Sequence, residues 1–141
     1  MLSKRAYVDH LKGVRLFQDC SRKQLELIAG SSETVIMKAG APLVEEGKDG
    51  REAFVILTGT ATVRKKGRLV RNLGPGAMVG ELSLLDRGPR TATVVCDTDC
   101  TVLLLTQGGL LRVIDEVPAI SHKLFASLAG MIRDIDNRSV G

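Results

Sequence analysis

Apolar residues in the middle of the chain fall in short runs rich in Val, Ile, Thr and Leu, at 34–37, 53–57, 60–64, 69–73, 91–96 and 101–106. Gly30, Gly40, Gly50, Gly59, Gly67 and Gly76 punctuate the first half at intervals of eight to ten residues. Short apolar segments separated by turn residues at that spacing predict an all-β sandwich or barrel. The last two runs are separated by Asp97, Thr98 and Asp99, and this reads as a hairpin loop because Asp favours turns through local hydrogen bonds. The two ends carry a different period. Ser21 with Gln24 forms a capping-box pattern, and Leu25, Ile28 and Ala29 follow on one face before Gly30, predicting a helix over 22–29. Pro118 suits a first helical position. Ile120, Leu124, Leu128, Met131, Ile132 and Ile135 then recur every three or four residues, predicting an amphipathic helix over about 119–136. A helical turn or two is expected at 109–116. The fold class is therefore mainly β: an eight-stranded antiparallel β-roll with N-terminal and C-terminal helices. One domain over 1–141 is expected, with helices in 3–29, the roll in 33–106 and helices in 108–136.

Length and composition narrow the function. The chain has 141 residues, of which 44% are hydrophobic and 26% charged, so it can bury one core, and disorder is excluded. Aromatic residues amount to 3%, with no Trp, which argues against modules that stack bases on aromatic platforms. The formal charge of +4 is concentrated in Arg64, Lys65, Lys66, Arg68 and Arg71 around Gly67. That run reads as a solvated hairpin tip rather than a patch for nucleic acid or acidic lipid. Cys20, Cys96 and Cys100 are too few for a disulfide framework. Cys96 and Cys100 flank the 97–99 turn and can face each other, but reduced thiols are expected. Charged residues interrupt the N-terminal stretch, and uncharged apolar runs such as 102–105 are far too short to span a bilayer, so a cytoplasmic protein with neither leader nor membrane span is expected. His10 and His122 stand far apart in sequence and make no metal site. No Gly-x-Ser-x-Gly elbow is present, and Glu45-Glu46 falls at a turn before Gly47, so no catalytic constellation is found and the chain reads as a binding protein rather than an enzyme.

The segment 73–95 breaks the strand rhythm. Gly80 precedes Glu81-Leu82-Ser83-Leu84-Leu85, and Gly88-Pro89 precedes Arg90-Thr91-Ala92-Thr93. A glycine ahead of a single helical turn leaves backbone N–H groups aimed at one spot, which suits an anion. Arg90 after a rigid turn adds a planar, permanently charged partner. Glu81 beside that anion needs its own donor, and a ribose hydroxyl next to a phosphate supplies one. Gly74 and Gly76 read as a tight turn between strands, and Ser83 either caps the short helix or reaches the phosphate.

These residues resemble the phosphate-binding cassette of the cyclic nucleotide-binding domain family, which includes catabolite-activator-type regulators, protein kinase regulatory subunits and nucleotide-gated channels. The matching stretch lies in 80–93, the glycine-bounded strands at 54–59 and 73–76 match too, and the resemblance extends over about 11–135. It implies that Glu81 binds the ribose 2′-hydroxyl and that Arg90 pairs with the cyclic phosphate. It further implies that the N–H groups of Leu82, Ser83 and Thr91 complete the phosphate shell, and that Gly80 allows close approach to the sugar. Two positions depart from the pattern: Val79 replaces the usual aromatic residue, and Thr91 is compatible with either purine. The expected ligand is cAMP, with cGMP the alternative, and no cofactor or metal is called for. The last helix is expected to close over the base, with Met131 and Arg133 as candidate lid residues, and to be a candidate homodimer contact. An effector protein is the expected partner. Only five residues follow position 136, too few for a helix-turn-helix, so direct nucleic-acid binding is not expected of this chain. The rival expectation is a roll that serves as an interaction or dimerisation module without useful nucleotide binding.

Overall fold

The computed structural model describes the backbone of residues 4–86 and 88–140 and the side chains of 7–86 and 88–137. The chain enters through α1 (Lys4–Lys12), a 3-10 turn (Arg15–Phe17) and α2 (Arg22–Gly30). The start of α2 is fixed by the capping box read from the sequence: Gln24 N–H donates to Ser21 Oγ at 3.2 Å, and Ser21 N–H donates to Gln24 Oε1 at 2.9 Å. Eight strands follow: β1 (Glu33–Met37), β2 (Pro42–Val44), β3 (Glu52–Thr58), β4 (Ala61–Lys65), β5 (Arg68–Leu73), β6 (Met78–Val79), β7 (Thr93–Cys96) and β8 (Cys100–Thr106). The chain then forms α3 (Gln107–Glu116) and α4 (Ala119–Val140).

The strands pair antiparallel into two four-stranded sheets, ordered β1-β8-β3-β6 and β2-β7-β4-β5. β3 and β8 lie at the centre of the first sheet, and both of their faces are covered. Ala53, Val55, Leu57, Leu103 and Leu105 point into a core shared with the N- and C-terminal helices. Ile56, Cys100 and Val102 point into a second core between the two sheets, joined by Val44, Val63 and Val94. Burial on both faces explains why these two strands read as nearly continuous apolar runs. β5, at the edge of the second sheet, is exposed from Arg68 to Asn72.

Several local expectations change. Asp97-Thr98-Asp99 does not close a hairpin: β7 pairs with β2 and β4, whereas β8 pairs with β1 and β3, so the loop carries the chain from one sheet to the other. Its two Asp side chains bond across the roll rather than locally. The Thr62 hydroxyl donates to Asp97 at 2.8–2.9 Å, and Ala39 N–H donates to Asp99 Oδ1 at 2.9 Å. β7 begins at Thr93, leaving Thr91 and Ala92 in a bend. α3 starts at Gln107 because Thr106 Oγ1 caps it, accepting from Gly109 N–H at 2.9 Å. Pro118 precedes α4 rather than opening it, and α4 runs past 136 to Val140. The basic run does form a hairpin tip between β4 and β5, turning through Lys66 and Gly67 at φ of 52° and 77°.

α4 packs its inner face, Ile120 and Leu124, into the helical core. An Arg15–Asp134 ion pair ties it to the 3-10 turn. Its outer face leaves Phe125 and Ile132 each 65% exposed.

Candidate ligand-binding site

Short β6 brings the cassette to the mouth of the roll by pairing Val79 with Phe54 and Met78 with Val55 of β3. Gly80 then turns the chain at φ 77°, ψ 26°, and Glu81–Leu84 forms a single 3-10 turn. Gly80 is needed twice over. That φ is left-handed, and a Cβ there would lie 2.4 Å from Arg90 Nη1. Leu84 anchors the turn in the helical core, while Leu82 points outward.

The second half of the cassette is held from the other side. Asp49 and Pro89 form an isolated antiparallel bridge, Arg90 N–H donates to Lys48 C=O at 2.8 Å, and Gly47 N–H donates to Arg90 C=O at 2.9 Å. The backbone of Arg90 is therefore clamped to the 47–49 loop. Its side chain is anchored too: Nη1 donates to Glu52 C=O and to the buried Ser83 Oγ, both at 2.8 Å. Two acceptors use both hydrogens of Nη1, so the three on Nε and Nη2 remain as donors, a fork suited to a phosphate. Gly50 lies against the guanidinium so closely that a Cβ would sit 2.3 Å from its Cζ, Nε and Nη2. Burial pushes the Arg90 guanidinium below its usual range, and the neighbouring Glu52 acts in the opposite sense.

Glu81 and Arg90 are not an ion pair with each other. The cation that acts on Glu81 is Arg71 of β5. Burial raises the Glu81 carboxyl above the ordinary carboxylate range, and Arg71 partly offsets this. Gly80, Glu81, Ser83, Arg90 and Thr91 line one cleft of about 180 Å³ together with Leu82. Among the described residues, the Leu82 and Thr91 amides have no protein acceptor, whereas Ser83 N–H donates to Gly80 C=O at 3.0 Å. The cleft adjoins a larger cavity of about 540 Å³, and Arg71, Leu73, Met78 and Glu81 line both. Ligand pockets commonly exceed about 300 Å³, a volume the cleft reaches only together with the second cavity on its β5 side. Met131 lines that cavity, whereas Arg133 is exposed and lines neither.

The sequence reading thus gathers Gly80, Glu81, Leu82, Ser83, Arg90 and Thr91 at one place. It misses three contributors. Gly50 reads there only as a turn, Arg71 only as part of the basic run, and Glu52 contributes a backbone carbonyl, a group every residue has. The site can hold an anion at Arg90 and a hydroxyl donor at Glu81. Among the described residues no group of three or more His, Cys, Asp and Glu side chains is disposed to hold a metal ion. No described helix is long and apolar enough to cross a membrane.

Residues 34–117 match the profile of the cyclic nucleotide-binding domain. The chain is 29% identical over 131 residues to the cyclic AMP receptor protein of Thermus thermophilus, covering 89% of this chain and 61% of that protein. It is 34% identical over 112 residues to the cAMP-dependent protein kinase regulatory subunit of Eremothecium gossypii, covering 79% of this chain and 24% of that protein. It therefore spans less than two thirds of either relative. The crystal structure of the N-terminal domain of a transcriptional regulator from Streptomyces coelicolor superposes with a TM-score of 0.85 at 30% identity, covering 92% of this chain and 94% of that one.

Proposed function

The chain belongs to the cyclic nucleotide-binding domain family, and we propose that it is a regulatory receptor for a 3′,5′-cyclic purine nucleotide, with cAMP favoured over cGMP. The observation that carries this reading is the convergence of Gly80, Glu81 and the anchored Arg90 fork on one cleft. A cyclic phosphodiester carries one negative charge and leaves the ribose 2′-hydroxyl free. Arg90, with the Leu82 and Thr91 amides, meets the charge, and Glu81 accepts from the hydroxyl. A Ser83 amide bonded to Gly80 contributes to the shell only if that turn opens on binding. Preference for cAMP is supported by the two relatives, one a cyclic AMP receptor and the other the regulatory subunit of a cAMP-dependent kinase. Thr91, at the rim, supplies a hydroxyl that keeps cGMP as the second ligand.

The base extends toward the cavity that Met131 helps to line, so ligand favours one position of α4 by its differential affinity for the two. Arg133 joins the lid only if α4 turns or shifts, since its side chain lies off that cavity. Such a movement is what an effector protein would read, and the exposed Phe125 and Ile132 offer a contact for that effector or for a second copy. The same exposed pair favours the rival reading, a roll used only for interaction or dimerisation. Calorimetry and thermal shift with cAMP and cGMP separate the two. A ligand at a hundred times its Kd adds about 2.7 kcal/mol to stability. A shift with cAMP larger than with cGMP is the expected result, and no shift with either transfers the assignment to the rival.

A further inference from the structure

Glu81 is the acid on which recognition of the ribose rests, and it is half-buried. A half-buried carboxylate needs a cation to keep it ionised. The cassette's own arginine is committed elsewhere, with Nη1 on Glu52 C=O and Ser83 Oγ and the Nε–Nη2 fork left for the phosphate. Arg15, which also borders the larger cavity, is paired with Asp134 of α4. Arg71 remains. It stands on β5, lines both cavities beside Glu81, and its side chain makes no hydrogen bond or ion pair within 4 Å to any described residue. Among the described residues, the charged groups that share a cavity with Glu81 are thus Arg71 from β5, Arg90 from the cassette, and the Arg15–Asp134 pair from the 3-10 turn and α4.

We propose that Arg71 is a positioning residue for the ribose site: from β5 it supplies the positive charge that keeps the Glu81 carboxylate in its hydrogen-bond-accepting form. This rests on the reading of Glu81 as the group that binds the 2′-hydroxyl. The sign follows from linkage. Ligand selects ionised Glu81, so affinity is level above the Glu81 midpoint and falls as acid protonates it. Arg71 lowers that midpoint and extends the level region toward acid. Because Arg71 is exposed and its field is screened by water, its removal moves the midpoint up modestly and weakens binding about threefold on the falling limb.

The test has two arms on the full chain. Carbon-13 NMR titration of the Glu81 carboxyl, without ligand, compares the unaltered chain with Arg71→Gln and Arg71→Lys. A higher midpoint in Arg71→Gln, restored by Arg71→Lys, is expected, and an unchanged midpoint overturns the inference. Calorimetry then follows cAMP and its 2′-deoxy analogue across the same pH range. In Arg71→Gln the acid limb for cAMP moves up, while the deoxy analogue shows no limb to move. An equal displacement for both ligands overturns the inference, as does an altered cAMP-to-cGMP ratio without displacement, which makes Arg71 a reader of the base. Failure of the unaltered chain to bind cAMP overturns the functional reading, and the titration arm still reports whether Arg71 governs Glu81.

Discussion

Gly50→Ala tests the site through a residue that has no side chain to offer a ligand. Gly50 has no left-handed φ, so alanine carries no backbone penalty there. What the new methyl meets is the Arg90 guanidinium, with Cζ, Nε and Nη2 all 2.3 Å away, far inside van der Waals contact. The side chain is the movable partner, so it leaves. Two hydrogen bonds from a charged donor, to Glu52 C=O and Ser83 Oγ, leave with it. Such a bond contributes about 1.5–3 kcal/mol, and because the displaced cation regains water the low end applies to each, giving about 3 kcal/mol of lost stability for the two. For a chain of this size that is a fall in Tm of roughly 6–12 °C. Affinity suffers separately, because the fork no longer points at the phosphate. The loss of one charge-assisted contact predicts between about tenfold and a hundredfold weaker binding of cAMP. Gly74→Ala is the control, since a Cβ there meets nothing within 4 Å. Calorimetric titration beside urea unfolding reads both quantities on the same samples. Gly50→Ala binding cAMP as tightly as the unaltered chain refutes the argument, because the guanidinium cannot hold its place beside that methyl.

Other outcomes are expected. Arg90→Ala abolishes measurable binding and leaves the Ser83 hydroxyl without its donor, and Arg90→Lys recovers only part of the affinity because one ammonium cannot reproduce the fork; calorimetry checks both. Ending the chain at Gly130 keeps Ile120 and Leu124 in the core but removes Met131 and Arg133, so the shortened protein folds, binds more weakly and discriminates less between adenine and guanine. Equal affinity and selectivity for the two chains would remove α4 from the mechanism. Burial, reinforced by a hydrogen bond with Cys100, pushes the Cys96 thiol up to about 11, so alkylation of native protein near neutral pH leaves Cys96 unmodified and quickens as pH climbs toward that value. Mass spectrometry reads this, and rapid labelling of folded protein at neutral pH contradicts it.

Features that depend on neighbours in sequence are the ones the chain displays openly. Ser21 and Gln24 announce α2 because the capping box closes within four residues. Gly80, Glu81 and Arg90 announce the site because left-handed turn, acid and cation occur in one short segment. β2 and β6 leave no comparable mark: at three and two residues they are too short to show a period, and they exist only because β7 and β3 lie alongside. The 97–99 loop misleads for the same reason, since local turn chemistry is identical whether the next strand folds back on the last or crosses to the other sheet. Arg71 is hidden among neighbouring cations, although alternation along β5 and the position of its edge are what bring it to Glu81.

The double coverage of β3 and β8 has a thermodynamic corollary. A strand pair that is a wall of both cores cannot be stripped on one side without exposing the other, so the helical layer and the inter-sheet layer are expected to melt as one cooperative unit. Nucleotide bound at the mouth of the roll therefore protects amides throughout β3 and β8 against global opening, and the thermal loss of helix signal reports occupancy of a site lined by strands, loops and one 3-10 turn.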